Sequence, residues 1–311
     1  MIDLVFIGTG GGMPMPKRNL SSLLLNYKGH KILVDCGEGT QVSMKIARTG
    51  FKNIDIICIT HGHGDHVLGL PGILATMGNS GRIEPVTIIG PVGINKIVKG
   101  LTVITPYLPY KLKIIESPNE KMFFSIENNN LILHNKGEIC INTLQVNHSS
   151  PCIAYNFNIK RRPRFNRDKA ISQNIPKNLW NVLQKGNDIV YKDIFYKSEM
   201  VLGEEREGIK ISFVTDTTPI NELVPFIENS DLLVCEGTYG NDEDIDKAVK
   251  NKHMTFSQAA MLAKDGKVKE LILTHFSTAM DNPEEFIHFA KDIFKDTYIA
   301  EDRMLKNLKF N

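Results

Sequence analysis

Short apolar blocks rich in Ile, Val and Leu alternate along this chain with stretches of helical spacing. Brief β-branched blocks bounded by Gly, Pro or Asn read as strands, and apolar residues recurring every three to four positions read as helices. The pattern predicts strands over Ile2–Gly8, Ser21–Tyr27, Lys31–Cys36, Ile54–Ile59 and Pro85–Gly90. Helices are predicted between them, over Gln41–Arg48, Val67–Met77 and Gly93–Ile104. Lys111–Glu116, Met122–Ile126, Leu131–Asn135 and Ile139–Asn147 read as successive strands of a second sheet, followed by a strand over Cys152–Ile159. After a break, strands resume over Ile209–Thr215, Asp231–Cys235 and Glu270–Leu273, with a last one beginning at Tyr298. The intervening helices are expected over Pro219–Asn229, over Phe256–Lys264 with Thr255 as N-cap, and over Pro283–Phe294.

Residues 160–208 break this rhythm. They contain Pro176, Trp180 and Gly186 and show little clean periodicity, so they read as an inserted arm and not as a second core. The arm opens on Lys160, Arg161, Arg162, Arg164, Arg167 and Lys169, with Asp168 as the one acid among them. Such a cluster can neutralise phosphates, and Phe165 or Trp180 can either stack on a base or pack locally.

Composition narrows the class without choosing a function. The chain has 311 residues, 42% hydrophobic and 23% charged, as in ordinary globular proteins. Its net charge of +2 means that nucleic-acid binding, if present, must come from a local patch. No apolar run approaches a membrane span and no signal peptide opens the chain, so a cytoplasmic protein with no membrane partner is expected. Cys36, Cys58, Cys140, Cys152 and Cys235 form no Cys-x-x-Cys pair and are expected to be buried free thiols.

The chemistry gathers where strands end. Thr60-His61-Gly62-His63-Gly64-Asp65-His66 follows a buried-strand signal directly, and its glycines let a tight loop aim several ligands inward. Three further apolar blocks end in a ligand type: Asn147-His148, Thr215-Asp216 and Thr274-His275. Two packed sheets sharing one edge would collect all of these residues. Seven imidazole and carboxylate ligands exceed one tetrahedral zinc and suit two metals with a bridging carboxylate. Thr9-Gly10-Gly11-Gly12 is only a weak phosphate-loop signal, because no helix-forming stretch follows it. Lys17 and Arg18, in Pro14-Met15-Pro16-Lys17-Arg18-Asn19, are phosphate-contact candidates. His30, His134 and His288 have no such setting and read as structural or solvated.

The H-x-H-x-D-H cluster resembles the metallo-β-lactamase-fold hydrolases. Three further stretches make the chain similar to the ribonuclease Z family: Pro14–Asn19, Asp35-Cys36-Gly37-Glu38-Gly39-Thr40-Gln41 and His253-Met254-Thr255. The resemblance covers nearly the whole chain. It implies an α/β fold, a four-layer αβ/βα sandwich of two mixed sheets, as a single domain over 1–311 with an RNA-binding arm over 160–208.

The resemblance also implies roles. His61, His63 and His148 would hold one metal, Asp65, His66 and His275 the other, and Asp216 would bridge them. The cofactor would be two Zn²⁺ per subunit, with Mn²⁺ or another divalent metal as substitute. Asp65 would accept a proton from the attacking water, and His253 would be a catalytic non-ligand histidine held by Glu236. An oxygen-reducing diiron site would want a carboxylate where His63 stands. Lys17, Arg18 and Asn19 would contact RNA, as would Lys160, Arg161, Arg162, Arg164 and Arg167 on the arm. The implied reaction removes the 3′ trailer from precursor tRNA, leaving a tRNA 3′-hydroxyl and a trailer 5′-phosphate, in a homodimer. Two rival readings stand beside it: a hydrolase of small phosphodiesters or sulfate esters, which needs no basic arm, and an RNA-binding protein with a dead site, which needs no complete ligand set.

Overall fold

Strands buried on both faces explain the architecture, because each needs a cover on either side. The structure, a computed structural model, describes residues 1–127 and 130–310. Its strands are β1 (Ile2–Gly8), β2 (Ser22–Tyr27), β3 (His30–Val34), β4 (Ile54–Cys58), β5 (Val86–Gly90) and β6 (Leu112–Glu116). They continue with β7 (Met122–Glu127), β8 (Asn130–His134), β9 (Ile139–Val146), β10 (Cys152–Arg161), β11 (Ile189–Tyr191) and β12 (Ile194–Tyr196). The last are β13 (Arg206–Val214), β14 (Leu232–Glu236), β15 (Leu271–Thr274), β16 (Thr297–Ile299) and β17 (Leu305–Leu308).

Two large mixed sheets result. One runs β17-β1-β2-β3-β4-β5-β6 and the other β16-β15-β14-β13-β10-β9-β7-β8. Every residue of β4, β5, β14 and β15 is buried. On the outer face of the first sheet lie helices Thr40–Ile46, Leu70–Asn79 and Ile94–Leu101, which share an apolar cluster with Leu33, Ile57 and Ile88. The outer face of the second is covered by helices Leu223–Ile227, Phe256–Asp265 and Ile287–Lys291, packed with Leu233, Cys235 and Leu273. Between the sheets, the buried Tyr155 of β10 donates its hydroxyl to the Ile59 and Ile89 carbonyls, at 2.8 and 3.0 Å. The four layers are therefore helix, sheet, sheet and helix.

Four sequence expectations change. Lys111–Glu116 belongs to the first sheet, because β6 pairs parallel with β5; strand periodicity cannot name a partner. The helix expected over Pro219–Asn229 contracts to Leu223–Ile227. The C-terminal segment also adds β17, which pairs antiparallel with β1. Asn282 caps a 3₁₀ turn at Pro283–Phe286, where a continuous helix was expected.

The chain divides into two units, Met1–Asn158 with Lys210–Lys309, and Ile159–Ile209 with Phe310. Where the sequence read as an arm without a core, the smaller unit has a small one of its own: Ala170, Ile175, Leu179, Leu183 and Val201 are buried together. Phe165 and Trp180 pack against that core with ring centroids 5.1 Å apart, so local packing is the answer for both. Short helices at Arg167–Ser172 and Trp180–Leu183 and the β11–β12 hairpin explain the lack of long periodicity. All five cysteines are free and buried. Among the described residues, no helix is long and apolar enough to cross a membrane.

Candidate metal centre

The four strand ends do converge. His61 follows β4, His148 follows β9, Asp216 follows β13 and His275 follows β15. Asp35, Asp216 and His275 take left-handed backbone there, with φ of 57°, 51° and 59°. This conformation is uncommon for residues with a side chain and clusters at functional sites. The loop after β4 adds His63 and then the short Gly64–Val67 helix, which carries Asp65 and His66.

Two groups of candidate ligands face each other. The first contains His61, His63 and His148: His61 Nε2 lies 3.0 Å and His148 Nε2 3.2 Å from His63 Nδ1. The second contains Asp65, His66 and His275: the two Nε2 atoms are 3.2 Å apart, and Asp65 Oδ2 is 3.5 Å from each. Asp216 addresses both. Its Oδ2 faces His61 at 3.5 Å and His148 at 3.8 Å, while its Oδ1 faces His275 at 3.2 Å and His66 at 3.5 Å. Nitrogen lone pairs and carboxylate oxygens converging within 4.8 Å are a donor set that a divalent ion satisfies. The residues fit zinc by chemistry as well as by position. Asp216, His253 and His275 also lie within that distance of one another, so His253 stands at the edge of the cluster.

Four of the seven candidate ligands are held from behind. Asp35, fully buried, accepts from the Thr60 amide and hydroxyl at 2.8 Å each, and its Oδ2 lies 2.8 Å from His66 Nδ1. This carboxylate–histidine pairing orients a metal-ligating ring. Thr238 Oγ1 lies 3.1 Å from His275 Nδ1, and the Lys252 carbonyl lies 3.2 Å from His148 Nδ1. The Gly12 amide donates to Asp65 Oδ2 at 2.6 Å. The glycine loop thus grips a carboxylate of the site. A Cβ on Gly11 would sit 2.4 Å from the His275 ring, so glycine there is steric necessity.

Protonation follows from burial and neighbours. Burial, reinforced by the nearby imidazoles, pushes His61 down to about 2, leaving a neutral ring ready to donate a lone pair. His148 is lowered mainly by burial. Burial opposes the Asp65 and Asp216 carboxylates, but the surrounding histidines outweigh it and hold both well below the usual range. Burial also opposes a charge on His66; Asp216 and Asp35 overcome it and raise the group. Cation binding would therefore displace a proton from His66.

His253 sits beside the cluster with its Nδ1 3.0 Å from Glu236 Oε2. Burial disfavours its charged form, yet Glu236 more than compensates and pushes His253 up to about 9. Glu236, at 0% exposure, does more than hold this ring. It also accepts from the Thr217 amide and Thr238 hydroxyl at 2.6 Å each, and from the Met254 amide at 3.2 Å. The ligands open on a cleft of about 440 Å³ whose walls include Ser149, Tyr239, Lys250 and Thr278.

The RNA-contact candidates divide. Lys17 is exposed. Arg18 is half-buried over the Phe276 ring and donates to the Met280 and Asp281 carbonyls, while Asn19 donates its amide and side-chain nitrogen to Asp302. On the smaller unit, Lys160, Arg162, Arg164 and Arg167 are exposed, and the Arg161 guanidinium lies over Phe310. Of the histidines set aside, His30 is buried against Asp55 at 2.6 Å, and His134 lies 3.0 Å from Glu127. Sequence reasoning gave no role to Thr60, Thr238, Gly12 or Asp302. Asp35 was visible as an acid ending a strand, but its partner was not.

The curated relatives agree with one another, while the family model carries another description. A family model described as anti-Pycsar protein Apyc1 matches residues 2–201, a span that ends before Asp216, His253 and His275. The ribonuclease Z of Clostridium novyi is 67% identical over 311 residues, covering 100% of both chains. That of Clostridium tetani is 66% identical over 310 residues, covering 100% of this chain and 99% of the other. Among solved structures, human tRNase Z, short form, aligns with a TM-score of 0.68 at 24% identity, over 99% of this chain and 100% of that one. The metallo-β-lactamase fold protein YhfI from Bacillus subtilis aligns with a TM-score of 0.69 at 19% identity, with the same coverage. These two likenesses establish the fold.

Proposed function

The chain belongs to the ribonuclease Z family and is a tRNA 3′-processing endoribonuclease, and on that premise we propose how its residues divide the work. The observation that carries the reading is the double address of Asp216, one carboxylate oxygen toward each histidine group. His61, His63 and His148 would hold one Zn²⁺, Asp65, His66 and His275 a second, with Asp216 shared. Such a pair supplies Lewis-acid polarisation of a phosphoryl oxygen and a water of lowered pKa. Mn²⁺ is an acceptable substitute by donor chemistry.

Asp65, fixed by the Gly12 amide, accepts the proton of the attacking water. His253 has its Nδ1 occupied by Glu236, so its Nε2 carries the proton offered to the departing 3′-oxygen. The tRNA then ends in a 3′-hydroxyl and the trailer in a 5′-phosphate. Lys17 is the loop cation that contacts RNA, with Arg18 and Asn19 shaping the loop behind it.

Residues 159–209 hold eleven Lys or Arg against seven Asp or Glu, a net +4 beside +2 for the whole chain. The remainder is therefore slightly acidic, and the arm is the natural phosphate-binding part. Exposed Lys160, Arg162, Arg164 and Arg167 are the contacts proposed there. The proposal includes a homodimer acting in the cytoplasm, where five free thiols persist. For dimerisation, Val42 and Ile46 offer exposed apolar side chains one turn apart on helix Thr40–Ile46. The deciding experiment incubates purified protein with a precursor tRNA and maps the cut. A single cut at the 3′ trailer junction supports the reading; hydrolysis of small esters alone would replace it.

A further inference from the structure

The Thr9–Asn19 loop enters the site from one side, and one residue from near the C-terminal end of the chain holds both of its ends. Asp302 Oδ1 accepts from the Thr9 amide at 3.0 Å and from its hydroxyl at 2.9 Å. Asp302 Oδ2 accepts from the Asn19 amide at 2.7 Å and from its side-chain nitrogen at 2.9 Å. The ends are also joined by the Gly10 amide on the Asn19 carbonyl at 2.9 Å. Asp302 is itself anchored. It lies in the turn between β16 and β17, where Arg303 adopts φ 69° and donates its amide to the Phe6 carbonyl at 2.6 Å.

The content of the loop makes this clamp consequential. Three residues beyond Thr9, the Gly12 amide holds Asp65 Oδ2, and Gly11 passes against the His275 ring. A shift of the loop stem in one direction drives Gly11 into that ring, and in the other it withdraws the amide from Asp65. Four charge-assisted bonds to one carboxylate fix a stem far better than backbone contacts alone.

We propose that Asp302 is a positioning residue for the reaction: it sets the depth of the Thr9–Asn19 loop and, through the Gly12 amide, the orientation of Asp65. The role rests on the reading of Asp65 as proton acceptor and ligand, but it leaves a trace that needs neither metal nor substrate.

The test is amide hydrogen exchange on the metal-free, full-length protein, wild type against Asp302→Ala. Exchange at Gly12 should accelerate at least about tenfold, as expected when hydrogen bonds to a charged group are lost, while amides of β4 stay protected. In the metal-loaded protein, kcat for a small chromogenic phosphodiester should fall about 10- to 100-fold with little change in KM, the scale expected of a misplaced catalytic group. Asp302→Asn keeps an acceptor for Thr9 but meets the Asn19 donors with its own amide, so it should fall between. Thr9→Val removes one of the four bonds and gives a milder change in the same direction if the alanine variant folds poorly. Wild-type protection at Gly12 in Asp302→Ala overturns the proposal. So does acceleration shared equally by β4, which would make Asp302 a residue of global stability. If RNA cleavage failed for other reasons, the exchange result would still stand.

Discussion

His253 Nδ1 rests 3.0 Å from Glu236 Oε2, at the edge of the candidate ligand cluster. His253→Ala should retain both metals by elemental analysis and keep affinity for tRNA, while kcat falls by about 10²–10⁴, the usual worth of general acid help. Loss of metal in that variant would reveal His253 as a ligand instead.

The same pair gives a pH signature in the metal-free chain. A histidine raised in the folded state stabilises fully below its unfolded value, about 6.5, and the stabilisation disappears as pH rises through about 9. Wild type should therefore lose more stability than Glu236→Gln between those two values, read as denaturant midpoint against pH. Parallel curves for the two proteins would show that the carboxylate does not hold a charged ring.

Glu236→Ala should do broader damage than His253→Ala. It strands the Thr217 and Met254 amides and the Thr238 hydroxyl, all presented to a carboxylate at 0% exposure. Each buried donor left unpaired costs roughly 1–3 kcal/mol. Glu236→Ala should therefore melt below His253→Ala, which takes from the carboxylate only one of its partners.

Asp35 touches no proposed metal position, yet its Oδ2 is 2.8 Å from His66 Nδ1. Asp35→Asn should weaken zinc binding by about 10- to 100-fold, as is typical when a ligand's supporting carboxylate is lost. A competition titration with a zinc-binding dye measures this; an unchanged dissociation constant would remove Asp35 from the account.

Deleting residues 160–208 should cripple precursor-tRNA cleavage and spare hydrolysis of a small chromogenic phosphodiester. In wild type, tRNA affinity should fall steeply with salt as counterions are released. Equal loss of both activities would show that the arm belongs to the fold or to the chemistry. Exhaustive chelation, by contrast, should abolish both activities, with Zn²⁺ or Mn²⁺ restoring part of each.

The convergence of four candidate ligands was legible because each is written locally, as an apolar block ending in His or Asp. His61, His148, Asp216 and His275 needed no knowledge of the rest of the chain. Partners distant in sequence were not legible. Asp35 with His66, Gly12 with Asp65 and Asp302 with Thr9 are separated by 31, 53 and 293 positions, and no periodicity encodes such meetings. For the same reason Lys111–Glu116 read correctly as a strand but was given the wrong sheet. The intramolecular partners of Arg18 and Asn19 were equally hidden: Arg18 donates to the Met280 carbonyl and Asn19 to Asp302. The role of His253 rested on family resemblance, since a histidine in a loop carries no signal of its own.

The left-handed corners at Asp35, Asp216 and His275 carry a backbone cost as well as chemistry. Such backbone is strained by roughly 1 kcal/mol or more per residue carrying a side chain, and glycine relieves it. Glycine at position 216 or 275 would relieve the backbone and remove the side chain that faces the cluster. Chemistry at this edge is thus carried at corners where the chain bends against its own preference.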